Sequence, residues 1–406
     1  MTHVPTHWTG IGLLIASSLL ACGEANEPTD GPGDADAGAM DAGTRDAGSM
    51  DGGSLDGAPP DDAGSPPDAG GTPDELVAAM LDLVDTEVDP SYVYEFEGAR
   101  FVPPEGKTLL ILGQTLDAVE ELTTSFPDAP TPGGWSAYWG IPSMDYVTRE
   151  TTNETGDRHH HQALVERFPN TVLHSGMWMV GTWGVAQRTV DGEFDPVIRD
   201  FSTWAKAAAR PIYLRIGYEF DGPHNELDPA TYIAAYRRIV DIMREEGVQN
   251  VAFVWHSFAA PPAGGRPISA WWPGDDYVDW VAVSLFGQLY ARTPGRWVDA
   301  VFDYAREKRK PVLVAEASPT NGINPGSNAV WASWFAKLFS LSYARNIKAI
   351  AFISQNWRRN PSNGVTWEDA RLSNNPLVGR AFFAETNQDR YLKQSPELFE
   401  ELGYTP

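Results

Sequence analysis

The chain has 406 residues, with 55 Asp and Glu against 30 Lys and Arg, a formal charge of −25, 42% hydrophobic residues and one cysteine. That is apolar material for a sizeable core, in one large domain or two ordinary ones. The single cysteine excludes an intramolecular disulfide and a thiolate zinc cluster, and the acidic balance excludes a nucleic-acid surface, which needs clustered Lys and Arg.

At the N-terminus, residues 11–20 form a ten-residue apolar run. It is too short to span a bilayer but suits a signal-peptide core. It leads into Leu19-Leu20-Ala21-Cys22-Gly23, which resembles the bacterial lipoprotein signal. The resemblance implies a signal peptide over 1–21, lipid attachment at Cys22 and an extracytoplasmic protein anchored to a bacterial membrane, the outer membrane or cell surface. An ordinary secretory signal is the alternative. Residues 22–75 read as a degenerate Asp-Ala-Gly repeat with Pro, and the stretch 24–75 carries −13 of the total charge. With almost nothing to bury, this stretch is expected to be a disordered, self-repelling tether.

From residue 76 the chain alternates short β-branched runs with helical patterns. The strand candidates are 107–114, 143–147, 171–179, 211–219, 250–257, 278–286, 311–318 and 347–357. Several are nearly all hydrophobic, as expected of parallel strands buried on both faces. The clearest helix is 229–247, which places Tyr232, Tyr236, Ile239, Val240 and Met243 at helical spacing, with Pro229 in the first turn and Gly247 as C-cap. Other helix candidates are 156–168, 196–209, 296–309 and 328–345. Eight such βα units in 76–406 predict an α/β fold, a (β/α)8 TIM barrel. A doubly wound sheet would carry a Gly-rich phosphate loop after its first strand, and Gly113-Gln114-Thr115 is none.

Barrel chemistry sits at the C-terminal strand ends. The fourth and seventh candidates end in Glu219 and Glu316. A carboxylate closing a buried strand is costly unless paired or functional, so each is either an ion pair, for instance with Arg215, or part of a site. Two facing each other across the barrel mouth supply the carboxylates of a retaining glycosidase. Other strand ends offer sugar-binding candidates: His174 and Trp178, Trp255 and His256, Phe286 with Tyr290 beyond, and Trp357. Aromatics stack on the apolar faces of sugars, and His and Arg bond hydroxyls or steer carboxylates. Trp255 and Trp357 are the preferred stacking residues, and Arg215 and Tyr290 the expected steering residues.

The segment LRIGYEFDGPHNELDPATYIAAYRRIVDIMREEGVQNVAFVW, followed by WWPGDDYVDWVAVSLF and KPVLVAEAS, resembles glycoside hydrolase family 26 over about residues 135–360. That family is best known for β-mannanases. The resemblance implies a barrel with catalytic Glu on strands four and seven, Glu219 as acid/base and Glu316 as nucleophile. This chain has Tyr218 where the family has His, and Phe220-Asp221 where mannanases have Met-Asn. Those neighbours border the sugar subsites and bear on the substrate.

Asp157-Arg158-His159-His160-His161 is read as a helical segment whose side chains, about 100° apart, do not converge on a metal. His224, Asn225 and Glu226 are read as a solvated loop, and Asp275 and Asp276 as solvent-facing. The expectation is a monomeric retaining endo-β-glycanase acting on a polysaccharide or oligosaccharide, β-mannan favoured, with no metal, organic cofactor or nucleic acid. The alternatives are a β-xylanase or β-glucanase, a transglycosylase, and a non-catalytic glycan-binding lipoprotein on the same barrel.

Overall fold

The computed structural model describes residues 71–153, 156–259, 266–293, 295–359 and 367–405. The signal, Cys22 and the acidic tether up to residue 70 lie outside the described residues. The first described helix, Pro73–Leu81, starts ahead of the barrel boundary expected at 76. It does so because Thr72 and Glu75 form a capping box around Pro73.

Eight parallel strands close into a barrel. They are β1 (Thr108–Leu112), β2 (Gly134–Gly140), β3 (Val172–Trp178), β4 (Ile212–Ile216), β5 (Val251–Ser257), β6 (Trp280–Leu285), β7 (Val312–Ala317) and β8 (Ala349–Phe352). Each pairs with the next, and β8 pairs back onto β1 through Leu109↔Ala349 to Leu112↔Phe352. A two-residue strand, Tyr391–Leu392, adds to the start of β1.

Leu109, Ile111, Val172, Tyr213, Ala252, Val254, Trp280, Ala282, Leu313, Ala315, Ala349 and Ala351 pack as one buried cluster inside the barrel. Tyr213 and Trp280 meet edge to face at 5.3 Å, and small alanines share the interior with these two large rings. The alternate residues form the larger core between sheet and helices. The helix Pro229–Glu245 runs as expected, with its N-terminus capped by Asp228 and Gly247 at φ +71° beyond its end. Among the described residues, no helix is long and apolar enough to cross a membrane.

The eighth strand stops at Phe352 instead of running to 357, so Trp357 lies in a short helical turn beyond it, and two further elements differ more from the sequence reading. The second strand is Gly134–Gly140, not 143–147, where a turn leads into the short helix Asp145–Thr148. Two glycines disguised the strand's start, and close packing demands them. A Cβ on Gly134 would lie 2.5 Å from Val172, and one on Gly133 would lie 2.6 Å from Leu109. The segment expected as a helix over 156–168 begins instead with Arg158–His159, antiparallel to Thr151–Thr152, and only His161–Arg167 is helical. His159 and His161 point into separate buried contacts, His161 bonding Ser175 Oγ through Nε2 at 3.0 Å.

Candidate active site

Glu219 and Glu316 meet at the mouth of the barrel. A carboxylate oxygen of each and a ring nitrogen of His256 lie within 4.8 Å of one another, and all three residues are buried.

Glu316 reaches this position through a bulge. Val283 pairs with Val314, yet the next pair is Ser284 with Glu316, so Ala315 is an extra residue on β7. The same shift shows on the other side, from Ile350↔Val314 to Phe352↔Ala317. Strict alternation would place Ala315 inside and Glu316 outside. The bulge turns both inward.

Glu219 lies just past β4, in left-handed backbone at φ +55°. For a non-glycine residue that conformation costs on the order of 1–3 kcal/mol and persists only where its surroundings enforce it. They do so here: Asn225 Nδ2 donates to the carbonyls of Tyr218 and Glu219, both at 2.9 Å, and Gly222 N–H donates to the Glu219 carbonyl at 2.9 Å. Asp221 ties the same turn to β5 by accepting from Ser257 Oγ and the Phe258 N–H, each at 2.6 Å.

Two donors fix Glu316. Arg215 Nη1 lies 2.5 Å from its Oε1 and the Tyr138 hydroxyl 2.6 Å from the same atom. Arg215 is fully buried, with its guanidinium carbon 4.6 Å from the Tyr138 ring centroid and 5.3 Å from that of Tyr218. Burial opposes the Arg215 charge, but Tyr138 and Glu316 outweigh it. Glu219 Oε1 accepts from Ser284 Oγ at 2.5 Å, and Oε2 lies 3.0 Å from His224 Nε2.

Burial and the neighbouring Glu219 charge push the Glu316 carboxyl up to about 7, against the pull of Arg215 and Tyr138. Like charges this close repel in a buried site, which is why Glu219 adds to the rise at Glu316. The charge-assisted hydrogen bonds from Arg215 and Tyr138 to Glu316 Oε1 favour its ionised form against that push. Burial and Arg215 hold His256 far below the usual histidine range, so its imidazole is neutral. Its ring nitrogens bridge Arg215 Nη1 at 3.5 Å and Ser284 Oγ at 3.0 Å. This gives one consistent direction of donation, from Arg215 to His256 to Ser284 to Glu219. Glu219, His256 and Glu316 are the only metal-competent group this tight among the described residues. The Arg215 charge against Glu316 works against a second cation there.

The remaining sequence candidates divide. Tyr218 packs edge to face on Tyr138 at 5.4 Å, beside the pair. His174 is buried and bonds Ser136 Oγ at 3.1 Å; burial, with Arg215 and His256, keeps it neutral. Trp178 ends β3 and lies 5.9 Å from Trp183, an exposed tryptophan. Phe286 and Trp357 join Trp367 in a small buried cluster, the Trp357 indole donating to Ser318 Oγ at 2.8 Å.

Three expectations are corrected. Trp255 faces outward, stacked on Phe220 at 4.5 Å beneath the helices, because it alternates with the inward His256 on β5. It is a core residue, not a sugar platform. The Tyr290 hydroxyl accepts from the Asn321 N–H at 3.0 Å, and the tyrosine that steers Glu316 is Tyr138. Tyr138 lies on β2, outside the strand expected at 143–147. Nor is the turn after Glu219 solvated: the His224 side chain is 2% exposed and Asn225 is buried. Glu226 alone of the three faces solvent, and Asp275 and Asp276 are exposed as expected.

The stretch that carries these residues is similar to known proteins. The model of glycosyl hydrolase family 26 matches residues 215–352, from Arg215 in β4 to the end of β8. The β-1,3-xylanase TXYA of a Vibrio species is 28% identical over 333 residues, 75% of this chain and 70% of that protein. Endoglucanase H of Acetivibrio thermocellus is 30% identical over 226 residues, 49% of this chain and 24% of that protein. A modular endo-β-1,4-mannanase from Cellulomonas fimi shares the fold, with a TM-score of 0.52 at 15% identity over 79% of each chain. Residues 215–352 thus match glycosyl hydrolase family 26, and the chain is a glycoside hydrolase.

Proposed function

We propose that the protein is a retaining endo-β-glycanase with Glu316 as nucleophile and Glu219 as acid/base. The observation that carries this is the carboxylate separation, within 4.8 Å between the nearest oxygens. Retaining pairs lie about 5–5.5 Å apart, whereas inverting pairs need about 6.5–9.5 Å to admit a water. Glu316, its charge held by Arg215 and Tyr138, attacks the anomeric carbon as the glycosidic bond breaks. Glu219 passes a proton to the departing oxygen, then takes one from the water that releases the sugar from Glu316. The step needs no cofactor.

For the substrate, β-1,3-xylan is the first choice. The relative that matches most of both chains carries that name, whereas the likeness to mannanases is one of fold. This moves the substrate away from the mannan favoured by the sequence alone. The test is product analysis on β-1,3-xylan, β-1,4-xylan, β-mannan and β-glucan, with Glu316→Ala alongside. Oligosaccharides from one glycan, lost in the variant, are expected. Binding without turnover on every glycan would instead identify a non-catalytic glycan-binding protein.

The signal-like segment and Cys22 further support a lipid-anchored protein outside the cytoplasm, with the acidic stretch as tether. Cys22→Ser should release the protein from the membrane fraction, and an unchanged distribution would refute the anchor.

A further inference from the structure

We propose that His224 is the positioning residue of the acid/base carboxyl, holding Glu219 Oε2 so that its proton is delivered to the departing glycosidic oxygen. This rests on the reading of Glu219 as acid/base and adds a residue to which neither the resemblance nor the comparisons give a role.

The turn after β4 is built to place this imidazole. Its Nε2 lies 3.0 Å from Glu219 Oε2, and both side chains are almost wholly buried, at 2% and 3% exposure. Desolvation makes such a bond stronger than the same contact at the surface. The ring stands edge to face on Phe258 at 5.0 Å. On its other side the room comes from Gly222, where a Cβ would lie 2.4 Å from the ring's Cε1 and 2.8 Å from Nδ1. Asn225, the next residue, donates from Nδ2 to the carbonyls of Tyr218 and Glu219, so imidazole and carboxylate are fixed to one turn.

With Ser284 at Oε1 and His224 at Oε2, both carboxylate oxygens are held. Rotation of the carboxyl away from the leaving oxygen would break two buried hydrogen bonds. The other titratable groups around His224 are committed elsewhere. Asp221 is held by Ser257 and Phe258, and burial raises it to about 6. Glu226, on the same turn, accepts from Thr182 Oγ1 at 3.1 Å. On β5, His256 bonds Ser284, and across the mouth Glu316 bonds Arg215 and Tyr138.

A residue acting through the acid is exposed by leaving-group dependence. A phenyl glycoside needs a proton on departure, whereas a 2,4-dinitrophenyl glycoside does not. The probes are these two β-glycosides of the disaccharide released from the glycan that the panel identifies. His224→Leu keeps the volume and removes the bond; His224→Gln keeps a polar group near the Nε2 position. In His224→Leu, kcat for the phenyl glycoside should fall roughly ten- to a hundred-fold. For the dinitrophenyl glycoside, kcat for glycosylation should stay within about twofold. His224→Gln should recover most of the loss on the phenyl glycoside. Equal losses on both glycosides, or no loss on either, would overturn the proposal. Should His224→Leu not fold, a His224→Gln enzyme that is as impaired on phenyl as on dinitrophenyl glycoside would overturn it too. Glu219→Ala on the same pair of substrates separates the two levels. If it shows no leaving-group dependence, the acid/base reading itself fails; if it does and His224→Leu does not, only the role of His224 fails.

Discussion

Arg215→Met removes the cation from a contact that solvent does not screen, since the Arg215 and Glu316 side chains are 0% and 2% exposed. An opposite charge at this distance lowers a carboxyl pKa by about one to three. Without it, Glu316, already pushed by burial and Glu219 from 4.5 to about 7, should rise by that much again. The anionic nucleophile would then be about five- to five-hundred-fold scarcer near neutral pH, and kcat/KM should fall by roughly that factor. The acid limb of its pH profile should move up by about one to three pH units.

Stability gives an independent reading. A carboxyl whose folded pKa lies above its unfolded value binds more protons when folded. It therefore costs stability as pH rises through the window between the two. In the wild type that window runs from 4.5 to about 7. In the variant its upper edge moves higher, at a further ~1.4 kcal/mol for each pH unit. Breaking a buried pair costs about 3–5 kcal/mol at high pH, but less where the remaining carboxyl can protonate. Urea unfolding at pH 5.5 and 8.5 and kcat/KM from pH 5 to 9 measure both effects. An unmoved acid limb, together with equal destabilisation at the two pH values, would refute the electrostatic role assigned to Arg215.

Tyr138→Phe removes the hydroxyl 2.6 Å from Glu316 Oε1 and should move the acid limb the same way by a smaller amount, without the loss of stability expected of Arg215→Met; an unshifted profile would remove Tyr138 from the site. Trp255→Ala leaves a cavity beneath the helices and should cost about 3–5 kcal/mol in chemical denaturation. At a temperature where it is folded its KM should be unchanged, and a raised KM would restore Trp255 as a sugar contact. Gly222→Ala drives a methyl group into the His224 ring and should reproduce the leaving-group dependence of His224→Leu in the same aryl glycoside assay; wild-type behaviour there would mean that the turn relaxes without moving His224.

The hydrophobic strand runs with helical patterns between them were enough to specify the barrel, because strands buried on both faces lose the alternation that other sheets show. Glu219 and Glu316 were legible for a related reason: a carboxylate that ends such a run has few explanations besides an ion pair or a site. What alternation implied, and the structure decided, is which way each side chain faces. Trp255 and His256 are neighbours in sequence, yet only His256 reaches the pair. Glu316 reaches it because a bulge at Ala315 breaks the alternation, and no residue type in VLVAEA announces that bulge. Tyr138, Ser284 and His224 each touch a carboxylate from a different strand or turn, across gaps of 178, 65 and 5 residues. The sequence alone determined the fold class and the two acids at strand ends, since burial and periodicity are local properties of the chain. Barrel closure and the register of its strands decided which groups surround those acids, since contacts between distant strands exist only once the sheet has closed on itself.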